Sequence, residues 1–202
     1  MKNIKVMLSL TLAILMALAL VACAPKADPD PKPADVTEAP TEPADNTEAA
    51  AADHKGEPFS NAFDMAVIIN GKTYPVRVDS AEVLAALGDG YEYGETVSCV
   101  YDGYDKTFTY DGIVVSTVPV DGKDVIEMFT ITGPAYTTTR NITVGATRDE
   151  VIEAYGENYF DDGYLTYTES GSEENISEMR IQFLFDDDTL SEIYIYSPSC
   201  SN

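Results

Sequence analysis

The stretch DSAEVLAALG at residues 79–88 returns 68 positions later, without a gap, as TRDEVIEAYG at residues 147–156. Each copy begins with a residue that caps helix N-termini, Asp79 or Thr147, and has glutamate three positions later, as in a capping box. Each copy ends in glycine, which is common just beyond the last residue of a helix. The two stretches therefore predict two short helices with the same start and the same stop.

The apolar residues of both stretches recur at helical spacing and give each helix one apolar face. These faces consist of Val83, Leu84 and Leu87 in the first stretch, and of Val151, Ile152 and Tyr155 in the second. Because Tyr155 takes the place of Leu87, we expect this tyrosine in the core and not at a binding site.

Segments in which β-branched and aromatic residues alternate follow each helix, and turns such as Asp111-Gly112 separate them. The predicted strands after the first helix are 96–101, 106–110, 113–118 and 124–132, and those after the second are 164–168, 179–186 and 190–196. A hairpin of 65–69 and 72–78 precedes the first helix, and a strand within 136–144 precedes the second. The sequence thus predicts an α+β fold of two tandem repeats, each a short helix followed by an antiparallel sheet, at 59–134 and 135–202.

The segment NITVGATRDEVIEAYG at residues 141–156 resembles the pattern I-x-x-G-x-T-x-x-E-V-x-x-x-x-G of small envelope lipoproteins. Similar families are the outer-membrane assembly lipoproteins of the SmpA/BamE type and the tandem-repeat β-lactamase inhibitory proteins. The whole chain is also similar to lipoproteins of anaerobic Gram-positive bacteria. The resemblance implies a non-catalytic envelope module, although the first unit lacks the I-x-x-G lead-in and no partner-contacting residue of these families can be placed on this chain.

The first 22 residues have the pattern of a lipoprotein signal peptide. Lys2 and Lys5 precede an apolar run of 17 residues, 6–22, which is shorter than the roughly 20 residues of a membrane-spanning helix. The run ends in Leu20-Val21-Ala22-Cys23, which resembles the bacterial lipobox. The resemblance implies cleavage before Cys23 and a diacylglycerol on its thiol. We therefore expect a lipid-anchored protein on the extracytoplasmic face of the cell membrane, at the cell surface where the envelope has one membrane; the alternative is an uncleaved anchor helix.

Residues 23–58 comprise this cysteine and a segment of different composition. Residues 24–58 contain 7 of the 11 prolines and 9 acidic residues against 3 lysines. With Val36 as its one large aliphatic residue, the segment buries too little apolar area to offset the entropy of ordering. It is predicted to be a disordered acidic tether.

The charge of the predicted folded part limits its partners. Residues 59–202 hold 26 acidic residues and 7 basic ones, a net charge of about −19. A field of that sign repels phosphates and anionic headgroups, which argues against nucleic-acid binding and leaves membrane attachment to the lipid alone.

The residue types that catalysis requires are scarce. The single histidine, His54, lies in the predicted tether, which excludes a Ser-His or Cys-His nucleophile pair and a histidine-bound zinc within residues 59–202. The sequence contains no phosphate loop, no dinucleotide fingerprint and no Gly-x-Ser-x-Gly motif. We therefore predict no enzyme and no cofactor. A hydrolase that uses carboxylates alone is the remaining enzymatic alternative.

A metal or small-ligand sensor is another alternative, because calcium prefers oxygen ligands from acidic loops. Three acidic turns provide such oxygens: Asp102-Gly103-Tyr104-Asp105, Asp161-Asp162-Gly163 and Asp186-Asp187-Asp188. None has EF-hand spacing, and Asp and Gly favour turns for backbone reasons alone. We therefore interpret them as turns and predict no metal site.

Cysteine and tyrosine supply the remaining candidate site residues. Cys99, on a predicted strand, and Cys200 are the two cysteines left after lipidation, so an exported protein is expected to join them in a disulfide; two free thiols are the alternative. Six tyrosines at predicted loops and strand ends are candidates for partner binding: Tyr91, Tyr93, Tyr101, Tyr104, Tyr159 and Tyr164. The expected partner is another envelope or secreted protein.

Overall fold

The computed structural model describes residues 54–199, which lie within one compact unit of the chain. The predicted signal peptide, Cys23, the tether up to residue 53 and Cys200 lie outside the described residues. The helices among residues 54–199 are α1 (Asn61–Asp64), α2 (Ala81–Leu87) and α3 (Arg148–Tyr155). The strands are β1 (Ala66–Ile69), β2 (Lys72–Pro75), β3 (Glu92–Val97), β4 (Tyr104–Tyr110), β5 (Ile113–Val120), β6 (Lys123–Ile131), β7 (Thr137–Thr138), β8 (Phe160–Asp161), β9 (Leu165–Tyr167), β10 (Arg180–Asp186) and β11 (Thr189–Tyr196). The predicted α+β class is confirmed.

The strands form two antiparallel sheets. The small sheet has the order β2-β1-β7, and the large one has the order β3-β4-β5-β6-β11-β10-β9-β8. Strands β3 to β6, which follow α2, make up the first half of the large sheet, and strands β8 to β11, which follow α3, make up the second half. The halves join through their last strands, β6 and β11, where Ile131 lies opposite Ile193.

One face of the large sheet forms the core. Its buried side chains lie in two rows that cross the sheet, Phe108, Val115, Phe129, Ile195, Ile181 and Tyr167 in one, and Tyr110, Ile113, Ile131, Ile193, Phe183 and Leu165 in the other. Val83 of α2, Val151 of α3 and Val67 of β1 belong to the same core. Tyr155 is fully buried there, with its ring centroid 5.1 Å from that of Phe183, as its place in the helix predicts.

The ends of α2 and α3 have the same geometry. Gly88 and Gly156 have φ of 84° and 83° with ψ of −170° and −175°, a region that glycine alone adopts readily. The predicted glycine stops are therefore confirmed. A strand tyrosine donates its hydroxyl to each glycine carbonyl, Tyr110 to Gly88 at 3.1 Å and Tyr167 to Gly156 at 2.9 Å.

The starts of the two helices differ. Thr147 and Glu150 form the predicted capping box, with each side chain bonded to the backbone N–H of the other residue. The capping box predicted for Asp79 and Glu82 is wrong, because the N-cap is Ser80 and its side chain makes no cap hydrogen bond. Glu82 instead pairs with Lys72, which β2 places beside the helix.

The segment before each helix pairs with the last strand of the same half. Arg77 has φ of 68° and donates its N–H to Ile126 at 2.8 Å, while Gly145 has φ of 98° and donates to Leu190 at 2.8 Å. Arg77 and Gly145 are 68 positions apart in the sequence. The backbone geometry of the lead-in is therefore present in the first half, although arginine occupies its glycine position.

Each last strand also contains one extra residue that the preceding strand of its hairpin does not oppose. On β6 it is Glu127, because Ser116 lies opposite Met128 and Thr117 opposite Ile126. On β11 it is Ser191, between Leu190 and Glu192. Both are β-bulges, which bend a strand and redirect a side chain.

The buried Arg140 connects the start of the described chain to α3. Arg140 donates Nε to Asp64 Oδ1 at 2.7 Å and Nη2 to Asp64 Oδ2 at 2.8 Å, and its Nη1 reaches the Ala154 carbonyl at 2.9 Å. Its guanidinium also donates to three carbonyls at the end of the segment predicted to be a tether, those of His54, Glu57 and Pro58. Residues 54–58 therefore lie on the folded domain, which begins before residue 59.

Three local details differ from the sequence prediction. The strand expected at 96–101 lies at Glu92–Val97, and Cys99 is in the following loop. This loop is held by Ser98, whose N–H donates to Gly103 O at 3.0 Å and whose hydroxyl accepts from the Tyr101 N–H at 3.2 Å. The short α1 and β8 were not predicted, because four and two residues are too few to show a periodicity.

Candidate functional site

A group of exposed apolar side chains lies along one edge of the large sheet. Strand β3 is the outermost strand there, and within residues 54–199 no strand pairs with its outer side. Four large side chains beside this edge are exposed, Tyr91 to 38%, Tyr93 to 52%, Val97 to 67% and Tyr104 to 49%. We call these four residues the β3 edge strip.

The register of β3 and β4 places the strip on one face. Tyr93 lies opposite Phe108 and Val97 opposite Tyr104, so both pairs point to the face that holds the core. The Phe108 ring packs against Tyr91 and Tyr93, and its centroid lies 5.2 Å from that of Tyr91 and 5.6 Å from that of Tyr93. The strip therefore continues the aromatic core outward, and packing on Phe108 holds the rings of Tyr91 and Tyr93 in place.

The charge beside the strip is negative. Glu92 and Glu95 are exposed on β3, and Tyr93 donates its hydroxyl to the Glu95 carboxylate. This hydrogen bond raises the pKa of Tyr93 to about 12. The strip therefore offers neutral aromatic rings between carboxylates, an arrangement that suits a partner with apolar and basic groups.

The structure brings three of the six predicted tyrosines together, Tyr91, Tyr93 and Tyr104. The other three lie elsewhere and do not extend the strip. Tyr101 is half-buried and donates to the Ser199 carbonyl at 3.1 Å, whereas Tyr159 packs on the core ring of Tyr167. Tyr164 lies on the opposite face of the large sheet, edge-on to Tyr194.

A cavity of about 230 Å³ lies where the loop between β3 and β4, the hairpin of β5 and β6, and the end of β11 meet. Arg77 and Glu127 are its charged residues, Val118 and Val125 form part of its apolar wall, and Ser197 is among its hydroxyls. Burial raises the pKa of Glu127, and a hydrogen bond from Ser199 and the charge of Arg77 oppose this rise. The sequence analysis missed this site, although the alignment of residues 77 and 145 shows arginine where its counterpart has glycine.

A larger cavity of about 640 Å³ lies between α3 and residues 140–146. Its charged side chains already have partners, since Lys55 pairs with Glu153 at 2.6 Å and Glu150 caps α3. The buried Arg140 at its wall is engaged with Asp64. These groups serve the fold.

The carboxylates of one acidic turn have local partners. Asp161 pairs with Arg148 at 3.2 Å and accepts the Gly163 N–H at 3.2 Å, and Asp162 accepts the Thr166 hydroxyl at 3.1 Å. In another acidic turn, Asp105 has a buried Oδ1 with no hydrogen-bond partner among the described residues. Within residues 54–199 no three side chains of His, Cys, Asp or Glu are grouped so that they hold a metal ion.

The remaining candidate residues are His54 and the two cysteines. His54 bonds to Glu57 at 2.8 Å and stacks on Phe63, with no cysteine or serine in that contact. Cys99 is exposed in the loop after β3, and Cys200 lies outside the described residues, so their disulfide stays a prediction. Across residues 54–199 no helix has the length and apolarity to cross a membrane.

The chain was compared with protein-family models, with curated proteins and with solved structures, and nothing in any of the three matches it. The case for a function therefore depends on the sequence and on the geometry given above.

Proposed function

We propose that this chain is a lipid-anchored extracytoplasmic lipoprotein whose folded domain is a non-catalytic protein-binding module. The β3 edge strip is the observation that carries the proposal, since it combines three exposed tyrosines with a strand edge that no described strand covers. Tyrosine is enriched at protein interfaces because its ring is large and its hydroxyl tolerates water. An open strand edge adds backbone donors and acceptors for an extended segment of a partner.

The anchor belongs to the same proposal and is supported by the sequence around Cys23. The acidic folded domain has no electrostatic attraction to anionic headgroups, so we expect the lipid to hold the protein at the membrane. Cys23→Ser should release the protein from the membrane fraction, and mass spectrometry should find a lipidated Cys23 at the mature N-terminus of the parent. A variant that stays in the membrane with its signal peptide cleaved would contradict the anchor.

We further propose that the domain arose as two tandem helix-plus-sheet repeats. Support comes from positions that match across the halves: the glycine stops, the tyrosines bonded to them, and the bulges on β6 and β11. The order of the large sheet, with β6 and β11 at its centre, is the order that a two-fold relation between halves produces. The duplication leaves β3 and β8 at the edges, and β3 is the longer.

The test of binding is proximity crosslinking of the full-length protein in its native membrane. The test variant is the double substitution Tyr93→Ser and Tyr104→Ser, and the matched control is Tyr164→Ser, which removes a tyrosine from the opposite face. We expect one set of crosslinked proteins for the parent and the control, and its loss from the double variant. Equal crosslinking of all three proteins, at equal thermal stability, would overturn the strip as the binding site.

The disulfide between Cys99 and Cys200 is also proposed. It is supported by the hydrogen bond from Tyr101 to the Ser199 carbonyl, which joins the loop of Cys99 to the residue before Cys200. Closing a loop of about 100 residues stabilises a fold by roughly 4 to 5 kcal/mol in the chain-entropy picture. Thiol titration of denatured, unreduced protein should find neither thiol, and two reactive thiols would refute the bond.

A further inference from the structure

We propose that the cavity between Arg77 and Glu127 binds a free α-amino acid with an apolar side chain. In this arrangement the ligand carboxylate lies on the Arg77 guanidinium, the ammonium group lies at Glu127, and the side chain packs on the valines of the wall. This binding site is separate from the β3 edge strip and does not depend on the proposed protein partner.

Arg77 has a backbone conformation that is unfavourable for its residue type. Its φ of 68° lies in the left-handed region, which suits glycine and strains residues that have a Cβ atom. Gly145 makes the same backbone contact in the second half without that strain. Residues held in such conformations cluster at functional sites, because the surrounding structure must enforce them. Arg77 therefore occupies a backbone position whose conformation suits glycine.

The Arg77 guanidinium makes few hydrogen bonds within the described structure. Its one hydrogen bond within residues 54–199 is to Ser197 Oγ, at a long 3.4 Å. Arg140, in contrast, directs its guanidinium at six oxygens within 3.1 Å. The Arg77 side chain is therefore left with donors for a carboxylate, which guanidinium groups bind in a bidentate manner.

A carboxylate lines the same cavity as Arg77. Glu127 is the bulged residue of β6, so its side chain leaves the regular alternation of the strand and reaches the cavity wall. Burial raises its pKa, whereas a hydrogen bond from Ser199 and the charge of Arg77 lower it. An ammonium group in the cavity would stabilise the charged form of Glu127.

Arg77 and Glu127 interact electrostatically but form no direct ion pair within the described residues, and the Glu127 carboxylate accepts the Ser199 hydroxyl. A ligand carboxylate would therefore take the open donors of Arg77, and its ammonium group would share the Glu127 carboxylate with Ser199. An α-amino acid carries both of these charged groups on one carbon atom. At about 230 Å³ the cavity is smaller than the roughly 300 Å³ at which pockets for drug-sized ligands begin. Val118, Val120 and Val125 supply an apolar wall, which favours an aliphatic side chain.

The second half of the sheet provides the matched variant. The positions that correspond to Arg77 and Glu127 are Gly145 and Ser191, which have the same left-handed backbone and the same bulge. The double substitution Arg77→Gly and Glu127→Ser therefore gives the first half residues that the fold already accepts at these places. We expect this variant to fold with the stability of the parent or higher.

The test is isothermal titration of the purified full-length protein with L-leucine. Two further titrations use 4-methylpentanoate, which lacks the ammonium group, and isoamylamine, which lacks the carboxylate. We expect leucine to bind the parent and to lose about ten- to a hundredfold in affinity in R77G, as for the loss of hydrogen bonds to a charged group. The double variant R77G/E127S is expected to show no binding.

The two half-ligands should bind the parent more weakly than leucine does. Equal binding of leucine to the parent and to the folded double variant would place the ligand elsewhere and overturn the proposal. Equal affinity for leucine and either half-ligand would refute recognition of a zwitterion, and so would no heat with leucine at millimolar concentration.

Discussion

The two halves of the large sheet share their backbone and differ in the side chains that the backbone presents. Both halves have a helix that stops at glycine, a tyrosine bonded to that glycine, a left-handed residue before the helix and a bulge in the last strand. At the left-handed residue and the bulge, the first half has Arg77 and Glu127 where the second has Gly145 and Ser191.

The halves also differ in their buried ion pair and in their exposed surface. The second half carries the buried Arg140, and the residue 68 positions earlier is Lys72, which makes an exposed pair with Glu82 and lies over the ring of Tyr74. The first half carries the longer edge strand and the exposed tyrosines. The positions that differ thus include both candidate sites, and they lie in the half with fewer buried polar contacts.

The largest difference in unfolding free energy between matched substitutions in the two halves should come from Arg140→Met. The substitution leaves the Asp64 carboxylate buried without its partner, which typically costs about 3 to 5 kcal/mol in the free energy of unfolding. Urea denaturation followed by circular dichroism measures it. The matched change in the first half is Lys72→Met, which breaks a solvent-exposed pair, and we expect no measurable loss from it. Similar losses from both would show that burial is not what separates the two pairs.

The next difference concerns the two tyrosine hydroxyls. Tyr167→Phe removes the donor from the Gly156 carbonyl beneath a fully buried ring, and we expect a loss of about 1 to 3 kcal/mol. Tyr110→Phe removes the same bond near the exposed edge, where water replaces the donor, and we expect about 0.5 to 1.5 kcal/mol. Denaturation of both variants provides the comparison. A larger loss of unfolding free energy from Tyr110→Phe would contradict the expectation that the buried hydroxyl bond of the second half contributes more to stability.

Exchange of residues at the left-handed position tests the strain directly. Arg77→Gly should raise the free energy of unfolding by up to about 1 kcal/mol, whereas Gly145→Arg should lower it by about 1 to 2 kcal/mol. Thermal unfolding of the two single variants measures both signs. If R77G destabilises the fold, Arg77 contributes packing that outweighs its strain.

The smallest difference lies at the helix starts and depends on pH. Hydrogen bonds from Thr147 lower the pKa of Glu150 in the folded protein. The stabilisation is therefore present above the unfolded-state pKa of about 4.3 and is lost as pH falls through the lower folded-state pKa. We expect Glu150→Gln to be less stable than the parent at pH 7 and equally stable once the pH lies below both values.

The control for this experiment is Glu82→Gln, since Glu82 makes no cap on α2. Its effect at pH 7 should be smaller than that of Glu150→Gln. A gap between the parent and E150Q that persists at low pH would mean that the amide disrupts the helix for another reason.

The sequence predicted the parts of the fold that depend on neighbouring residues. The helical spacing of apolar residues after Val83 and after Val151 located the two helices, and the glycines at 88 and 156 located their ends. Both signals are local in the sequence. The strand before the Cys99 loop was misplaced, because Tyr93 and Gly94 pair with β4 through contacts that no local pattern shows. The β3 edge strip was predicted in part, since its tyrosines were candidates but their shared face was not known.

By itself the sequence determined the α+β class, the two helices with their glycine stops and the acidic character of the domain, since each depends on residue type and short-range spacing. The tertiary structure decided that β6 pairs with β11, because strands with free backbone groups must find partners that are distant in the chain. It also decided that Arg77 and Glu127, 50 positions apart, line one cavity, and that Arg140 holds the segment from His54 to Pro58. These contacts depend on long-range packing, which no single stretch of the sequence contains.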